Sequence, residues 1–414
     1  MQENFIGRQP VIDHQGNIFA YDLFYHIENA LSGASDATSA QLINDVLNTF
    51  GVKSILGDRV GFVTVDRAFL LSDIVFNAPK ESFIFSIADS TVIDDKLIER
   101  VKELKAKGYL FSLGDVGLKT GPLQRFGALM PLLNFFKIDI TGLSEPYLAK
   151  LKKIIENYPI ELVATHVDTQ HQYAVSKSLR YKMVEGLYFT EPELKKSARY
   201  DPKHFTVIQL YNLLMGDAGV DELVRAFETN HALTLQLLRY MNSKAFDLPN
   251  HIESIHQVIT LMGREPLAQW LMLLVYGKAL NTSTFQSPLL MMVRTRTEMM
   301  KALMKLVTPK ADKDRLGQAF FVGVMSLAGS VFNMPMRTIL NDMHVSDEVK
   351  AALLEREGLL GELLTLVKAI EKFDVPAINA FAQKHEISSK AIHRMMIFSI
   401  QDANTFEEIA NKVL

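Results

Sequence analysis

Two hydrophobic periods divide the chain near residue 195. Before that point, short runs of apolar and β-branched residues alternate with segments whose apolar residues recur at helical spacing. The short runs predict eight strands, at residues 5–12, 17–25, 61–65, 82–87, 109–113, 134–138, 161–164 and 183–188. The segments between them predict helices, the clearest at residues 39–50, 94–107 and 145–157.

Strands that alternate with helices favour a mainly parallel sheet, and eight of them favour closure into a barrel. We therefore expect an α/β domain with a modified TIM-type (β/α)8 barrel. The first two strands are joined by the short sequence DHQGN at residues 13–17, which is typical of a hairpin. The barrel should therefore depart from the regular pattern at its first strand.

After about residue 200 the strand pattern gives way to helical spacing. We expect an all-helical domain, with helices near residues 266–279, 288–307, 314–333, 346–354, 359–372, 374–384 and 388–400. Ser254 and Gln257 are spaced as in a capping box at the start of a further helix. The short polar stretch at residues 197–204 is the best boundary, and it predicts a barrel domain at 1–198 and a helical domain at 199–414.

Composition narrows the classes of function. Hydrophobic residues make up 48% of the chain and charged residues 22%, which is typical of a folded globular protein. The net charge of −3 argues against broad binding to nucleic acid. Cysteine is absent, no signal peptide is visible, and the longest apolar run (270–276) is far too short to span a bilayer. We expect a cytoplasmic protein with neither a membrane nor a nucleic acid as partner.

In a barrel of this type the chemistry lies on the carboxyl side of the strands. The residues at these positions are Asp22, Thr64, Ser86, Gly114, Asp115, Lys137, Asp139, Thr165, Asp168 and Glu185. A two-metal phosphodiesterase needs several carboxylates around two cations, and Thr or Ser replaces a carboxylate poorly. On this reasoning the set could hold at most one weakly bound cation. Structural roles stay open as well, because Asp115 could form an Asx-turn and Lys137 could pair with Asp139.

The order of these motifs is similar to that of the EAL family. Over residues 4–195, and above all in FIGRQPVIDHQGNIFAYDLFYHIENA, the chain resembles EAL domains that precede an HDOD domain. Active EAL domains are TIM-barrel phosphodiesterases that linearise cyclic di-GMP with two Mg²⁺ or Mn²⁺ ions. The resemblance implies the same fold here, and it assigns a family role to each strand end.

Carried over by position, the catalytic lysine and its following aspartate match Lys137 and Asp139. The glutamate of Glu-Ala-Leu becomes Asp22, and the substrate-binding arginine becomes His26. The metal-binding asparagine, the next glutamate and the first aspartate of Asp-Asp-Phe-Gly become Thr64, Ser86 and Gly114, whereas the second aspartate matches Asp115. The two glutamates of the family's Ala-Glu-Gly-Val-Glu-Thr motif become Thr165 and Asp168. The glutamine of its Gln-Gly-Tyr motif becomes Glu185.

The second half resembles an HDOD domain, a helical relative of HD phosphohydrolases. The resemblance rests on LLRYMNSKAFDLPNHIESIHQVITLMG and AFFVGVMSLAGSVFNMP. Where an HD hydrolase carries adjacent His and Asp metal ligands, this chain has Ser326 and Leu327. Neither side chain supplies the imidazole or carboxylate that a metal needs.

We therefore expect no catalytic site, no metal and no cofactor in either half. The leading hypothesis is a non-catalytic bacterial signalling protein that binds other, unidentified signalling proteins. The alternatives are a cyclic di-GMP sensor and a weak Mg²⁺-dependent phosphodiesterase that uses Asp22, Asp115, Lys137 and Asp139. Cyclic di-GMP binding is disfavoured, because His26 replaces an arginine clamp and Glu185 adds negative charge.

Overall fold

The protein is described by a computed structural model. The described residues are 4–27, 37–118, 120, 123–190, 209–214, 218–242, 252–264, 266–268, 270–271, 287–332, 334–341, 343 and 345–413. The boundary predicted at 197–204 lies outside these residues, as does most of the helix predicted at 266–279.

Eight strands form a closed barrel in chain order, which confirms the predicted fold class. The strands are β1 (Asn4–Asp13), β2 (Ile18–Ile27), β3 (Val60–Val65), β4 (Phe83–Ile87), β5 (Leu110–Val116), β6 (Phe135–Asp139), β7 (Glu161–Thr165) and β8 (Met183–Glu185). Strands β2 to β8 pair in parallel, while β1 is antiparallel to both of its neighbours, β2 and β8. The hairpin at residues 13–17 causes this reversal, since the chain turns back without a helix.

That hairpin is held by the carboxylate of Asp13. Its Oδ1 accepts hydrogen bonds from the backbone N–H of Gln15 at 2.8 Å and of Asn17 at 3.0 Å. Gly16 has a φ of 88°, in the left-handed region that glycine adopts without strain. The sequence DHQGN thus supplies both the acceptor and the glycine that the turn requires.

The described residues between the strands of the barrel form six α-helices: α1 (Ala37–Asn44), α2 (Val52–Leu56), α3 (Arg67–Leu71), α4 (Asp95–Ala106), α5 (Glu145–Ile155) and α6 (Gln170–Ser178). The helix predicted at 39–50 is an α-helix only as far as Asn44, and the residues Asp45–Phe50 form a π-helix. The strand predicted to reach residue 188 ends at Glu185. Gly186 turns the chain there with a φ of 149°, and any Cβ would clash with the backbone of Val167.

An apolar plug fills the lower part of the barrel. Its buried members come from seven strands and are Val11, Ala20, Phe62, Ile84, Phe135, Val163 and Met183, with Val60 and Leu110 packed against them. Because side chains two apart on a strand share a face, the plug fixes which later residues also face the interior.

The described residues beyond 208 contain helices but no strand. The helices are α7 (Val220–Glu228), α8 (His231–Met241), α9 (Ile255–Met262), α10 (Pro288–Val307), α11 (Lys313–Met325), α12 (Ala328–Phe332), α13 (Met336–Asn341), α14 (Asp347–Leu354), α15 (Gly358–Glu371), α16 (Val375–Lys384) and α17 (Ser389–Val413). The predicted helix 314–333 is in fact two, α11 and α12, and α17 extends well past the predicted end at 400. The predicted capping box is present in full, with Ser254 and Gln257 each bonding the other's backbone N–H.

The chain divides into two compact units. The first comprises Met1–Glu191 together with Ala369–Gln383 and Ser388–Ile397, and the second comprises Pro192–Lys368, Lys384–Ile387 and Phe398–Leu414. The barrel unit thus includes a C-terminal segment that the hydrophobic pattern alone assigns to the helical half. The domain boundary predicted near residue 198 stays a prediction.

None of the described helices has the length and apolar character to cross a lipid bilayer.

Candidate functional site

A polar layer lies directly above the apolar plug. Its members each follow a plug residue by two positions on the same strand, and they are Asp22, Thr64, Ser86, Ser112, Lys137, Thr165 and Glu185. Because this spacing keeps them on the interior face, the barrel gathers side chains from seven strands at the carboxyl ends of β2 to β8. Six of the seven are strand-end residues named from the sequence, and Ser112 was missed.

Lys137 is the centre of this layer. Its Nζ donates a hydrogen bond to Asp22 Oδ2 at 2.6 Å and forms an ion pair with Glu185 Oε2 at 3.0 Å. Asp115 Oδ1 lies farther away, at 4.0 Å. Lys137 is 1% exposed, and Asp22 and Glu185 are each 3% exposed. One buried ammonium therefore faces two buried carboxyl groups, with a third at the solvent edge.

The charges in this cluster are strongly coupled. Burial disfavours the charged form of Lys137, but attraction to Asp22, Glu185 and Asp115 outweighs it and raises the lysine pKa. Burial, together with repulsion from Asp22, raises the pKa of Glu185 to about 8. Burial likewise raises the pKa of Asp22, against the attraction of Lys137. At neutral pH the arrangement favours a charged lysine with a proton held on one of the two buried carboxyl groups.

Asp115 stands at the mouth of the barrel rather than inside it. Its φ of 40° places it in the left-handed region, and the pairing of β5 with β6 is irregular between Leu113 and Val116. Its Oδ1 accepts a hydrogen bond from Thr165 Oγ1 at 2.9 Å. The carboxylate thus contacts the next strand but one, where the sequence had suggested a local Asx-turn. The neighbouring Gly114 leaves room for a side chain, since an added Cβ would make only ordinary contacts.

Three of the substituted positions carry hydroxyl groups: Thr165, which bonds Asp115 as described, and the two residues Thr64 and Ser86. Ser86 is fully buried, and its Oγ has no hydrogen-bond partner among the described residues. Thr64 is exposed, and its backbone carbonyl accepts a hydrogen bond from Ser39. Neither hydroxyl contacts the Lys137 cluster.

Asp139 and Asp168 are held by the backbone of the loops. Asp139 Oδ1 accepts from the N–H of Thr141 at 2.9 Å, which makes an Asx-turn, and it lies 3.5 Å from His166 Nδ1. Asp168 Oδ1 accepts from the N–H of Leu187 at 3.0 Å. The suggested pairing of Lys137 with Asp139 is wrong, because the lysine turns to Asp22 and Glu185. His26 belongs to β2, and its side chain lies outside the described part of the chain.

The polar layer places Lys137 between its two buried carboxyl groups. Among the described residues, no group of three or more His, Cys, Asp or Glu side chains is arranged to hold a metal ion. Two cations a few ångströms apart need several converging carboxylates, whereas here a lysine occupies the space between the two that are buried.

In the helical unit, the two positions aligned with the HD ligands are packed into the protein. Ser326 Oγ accepts a hydrogen bond from Arg296 Nη1 at 2.8 Å and donates one to the carbonyl of Gly323 at 2.7 Å. Leu327 is buried. Arg296 is only 2% exposed, and nothing in a helical repeat signals a buried guanidinium.

Comparison with known proteins agrees with this architecture. Residues 68–192 match the model of the EAL domain, and residues 206–353 match that of the HDOD domain. Bacillus subtilis YuxH is 24% identical over 379 residues, which cover 89% of this chain and 90% of YuxH. Cyclic di-GMP phosphodiesterase CdgJ of Vibrio cholerae is also 24% identical, over 389 residues that cover 90% of this chain and 86% of CdgJ.

Solved structures align with part of the chain. The EAL domain of Mycobacterium smegmatis DcpA is 19% identical, with a TM-score of 0.36, and the alignment covers 44% of this chain and 90% of that domain. The two family models thus identify an EAL domain at residues 68–192, followed by an HDOD domain at residues 206–353.

Proposed function

We propose that this chain is a regulatory protein of cyclic di-GMP signalling that has no phosphodiesterase activity and works by binding other proteins. The observation that carries the proposal is the position of Lys137 Nζ, 2.6 Å from Asp22 and 3.0 Å from Glu185. The lysine acts as an internal counterion for the two carboxyl groups that remain buried in the polar layer.

A metal ion in this layer would have to displace that ammonium. Asp22 and Glu185 are the only carboxyl groups among the described residues at this level of the barrel, and both already contact Lys137. The other positions supply Thr64, Ser86 and Thr165, whose neutral hydroxyls are weak ligands for hard cations. Without two cations, the site lacks both the charge that binds a phosphodiester and the means to generate hydroxide.

Cyclic di-GMP itself would meet little positive charge here. Lys137 is 1% exposed and already paired, and the strand-end carboxylates that reach solvent are Asp115, Asp139 and Asp168. An anionic ligand approaching the mouth would therefore face like charges before it reached the lysine, which disfavours binding.

The link to cyclic di-GMP rests on the EAL domain and on the relative CdgJ, which is named a cyclic di-GMP phosphodiesterase. That name also favours a second candidate, a cyclic di-GMP sensor or a weak phosphodiesterase that uses Asp22, Asp115, Lys137 and Asp139. The two candidates differ in what Lys137 does, because a catalytic lysine needs access to substrate.

The decisive experiment incubates the purified protein with cyclic di-GMP and either Mg²⁺ or Mn²⁺, followed by chromatography for the linear product. Calorimetry under the same conditions measures binding. We expect neither turnover nor binding. Turnover that is lost in the Lys137→Ala variant would refute the proposal, and binding without turnover would favour the sensor.

The protein-binding part is tested separately. Cross-linking and affinity purification from cells that express the tagged protein should recover a specific partner. A chain that recovers no partner above an unrelated tagged control would contradict this part of the proposal.

A further inference from the structure

The C-terminal part of the barrel unit lies outside both domain matches. Ala369–Gln383 and Ser388–Ile397 belong to the same compact unit as the barrel, although the HDOD match ends at residue 353. We call these two stretches the latch. The contacts that hold the latch to the barrel involve the far end of the β1–β2 hairpin.

The hairpin continues past the polar layer at the carboxyl end of β2. Gln9 pairs with Asp22, and the next pair on the same face is Gly7 with Phe24. Two residues along a strand correspond to about 7 Å. The Gly7–Phe24 pair therefore borders Asp22 on the side of the barrel mouth.

Phe373 of the latch packs against this pair. Its ring centroid lies 5.9 Å from that of Phe24, and a Cβ added to Gly7 would approach the Phe373 ring to 2.4 Å. Only glycine permits so close a contact at this point of the strand. Phe373 itself has a φ of 54°, an unfavourable conformation for a bulky residue, which its ring contacts must offset.

His393 makes a second, independent contact. Its Nε2 accepts a hydrogen bond from the backbone N–H of Ile6 at 3.0 Å, and its ring meets that of Phe50 edge-on at 6.0 Å. His393 is 8% exposed. An aromatic contact and a buried hydrogen bond thus fix the latch to two successive residues of β1, Ile6 and Gly7.

We propose that the latch is a cover that closes the hairpin side of the barrel mouth, and that its release exposes the Asp22 side of the polar layer. The contact with Gly7 and Phe24 is made at the end of the hairpin, and it holds Phe373 in a costly conformation. A partner that competes for the hairpin end would therefore open the site without unfolding the barrel. This inference does not depend on whether the site turns over cyclic di-GMP.

Thiol labelling tests the proposal in the full chain. Because the chain has no cysteine, an Asp22→Cys substitution reports access to one position. We compare its maleimide labelling rate in the otherwise unchanged chain, with Phe373→Ala, and with the matched control Phe398→Ala. Phe398 is 58% exposed and lies just beyond the latch. Removing the half-buried Phe373 ring should raise the rate at least ~10-fold, while the control leaves it unchanged.

A second reporter separates opening from unfolding. Val101 is fully buried on α4, so a Val101→Cys reporter is labelled only when the barrel unfolds. Phe373→Ala should leave that rate unchanged. Gly7→Ala, which places a carbon where the Phe373 ring lies, should accelerate labelling of the Asp22→Cys reporter as Phe373→Ala does. The proposal would be overturned if Phe373→Ala and Phe398→Ala gave equal labelling rates at the Asp22→Cys reporter. It would also be overturned if Phe373→Ala accelerated labelling of the Asp22→Cys and Val101→Cys reporters equally.

Discussion

The buried imidazole of His393 makes the stability of the barrel unit depend on pH. Burial lowers its pKa to about 4, from an ordinary value of 6.5, although the nearby charge of Asp45 opposes the shift. The hydrogen bond from the Ile6 N–H requires the lone pair on Nε2, so it too is made only by the unprotonated ring.

Whether stability rises or falls with pH depends on which state, folded or unfolded, binds the proton more tightly. Above pH 6.5 the ring is neutral in both the folded and unfolded states, and its contribution to stability is complete. As pH falls from 6.5 to 4, the unfolded chain takes up a proton that the folded protein refuses, so the free energy of unfolding falls. The difference between the two pKa values corresponds to about 3 kcal/mol, and below pH 4 no further loss is expected.

The measurement is urea-induced unfolding at several pH values between 4 and 8, followed by pulsed hydrogen exchange of peptides from β1 to β5. Trp270 belongs to the helical unit, so its fluorescence would report the wrong part of the chain. The His393→Gln variant keeps a hydrogen-bond acceptor but does not titrate, and His256→Gln, at an exposed histidine, serves as the control.

We subtract the free energy of unfolding of the His393→Gln variant from that of the wild type. This difference should be constant above pH 6.5 and fall by about 3 kcal/mol by pH 4. The corresponding difference for His256→Gln should stay constant. A His393 difference that is flat across the range, or that grows as pH falls, would refute the reasoning.

Three further outcomes follow from buried contacts. Lys137→Met should destabilise the barrel unit by about 3–5 kcal/mol at pH 7, because it leaves the ionised member of the Asp22–Glu185 pair buried without a counterion; the same pulsed-exchange assay measures it. Burial raises the pKa of Glu185 to about 8, so its ionisation opposes folding as pH rises from 4.5 to 8. Glu185→Gln should therefore gain stability relative to wild type over that interval, and a relative loss would contradict the pKa direction. Gly323→Val should destabilise the helical unit, read from Trp270 fluorescence, because a Cβ there would lie 2.8 Å from the Cα of Thr297; an unchanged urea midpoint would contradict this packing.

The strands could be predicted because each has a local signature. Alternating and β-branched runs located all eight, and DHQGN located the hairpin that reverses β1. The predicted end of a strand was wrong where one residue changed the backbone direction within an apolar run. Gly186, with a φ of 149°, ends β8 before the apolar run ends.

Most residues of the polar layer could be named from the sequence, but the contacts between them could not be predicted. Lys137 and Glu185 come from β6 and β8, and Asp22 from β2, so their contact depends on barrel closure rather than on any local spacing. The sequence therefore suggested Asp139 as the partner of Lys137, whereas the nearest carboxylates in space come from distant strands. Ser112 was recoverable, because it follows Leu110 by two residues as the other members follow their plug residues.

The latch left no signal in the sequence at all. Phe373 and His393 sit in ordinary amphipathic helical surroundings, and their partners, Gly7 and Ile6, lie more than 360 residues away. A contact of that sequence separation is set by tertiary packing, which neither periodicity nor a local motif records.

The discontinuous barrel unit has a consequence for biosynthesis. Strand β8 ends at Glu185, but the latch begins at Ala369, after nearly the whole helical unit has been translated. At elongation rates of about 5–20 residues per second, this interval lasts roughly 10–40 s. During this interval the nascent chain lacks the latch, and its hairpin end is open to chaperones or to a second protein. Ribosome-bound chains stalled before residue 369 should therefore differ from the released protein in what they bind at Gly7 and Phe24.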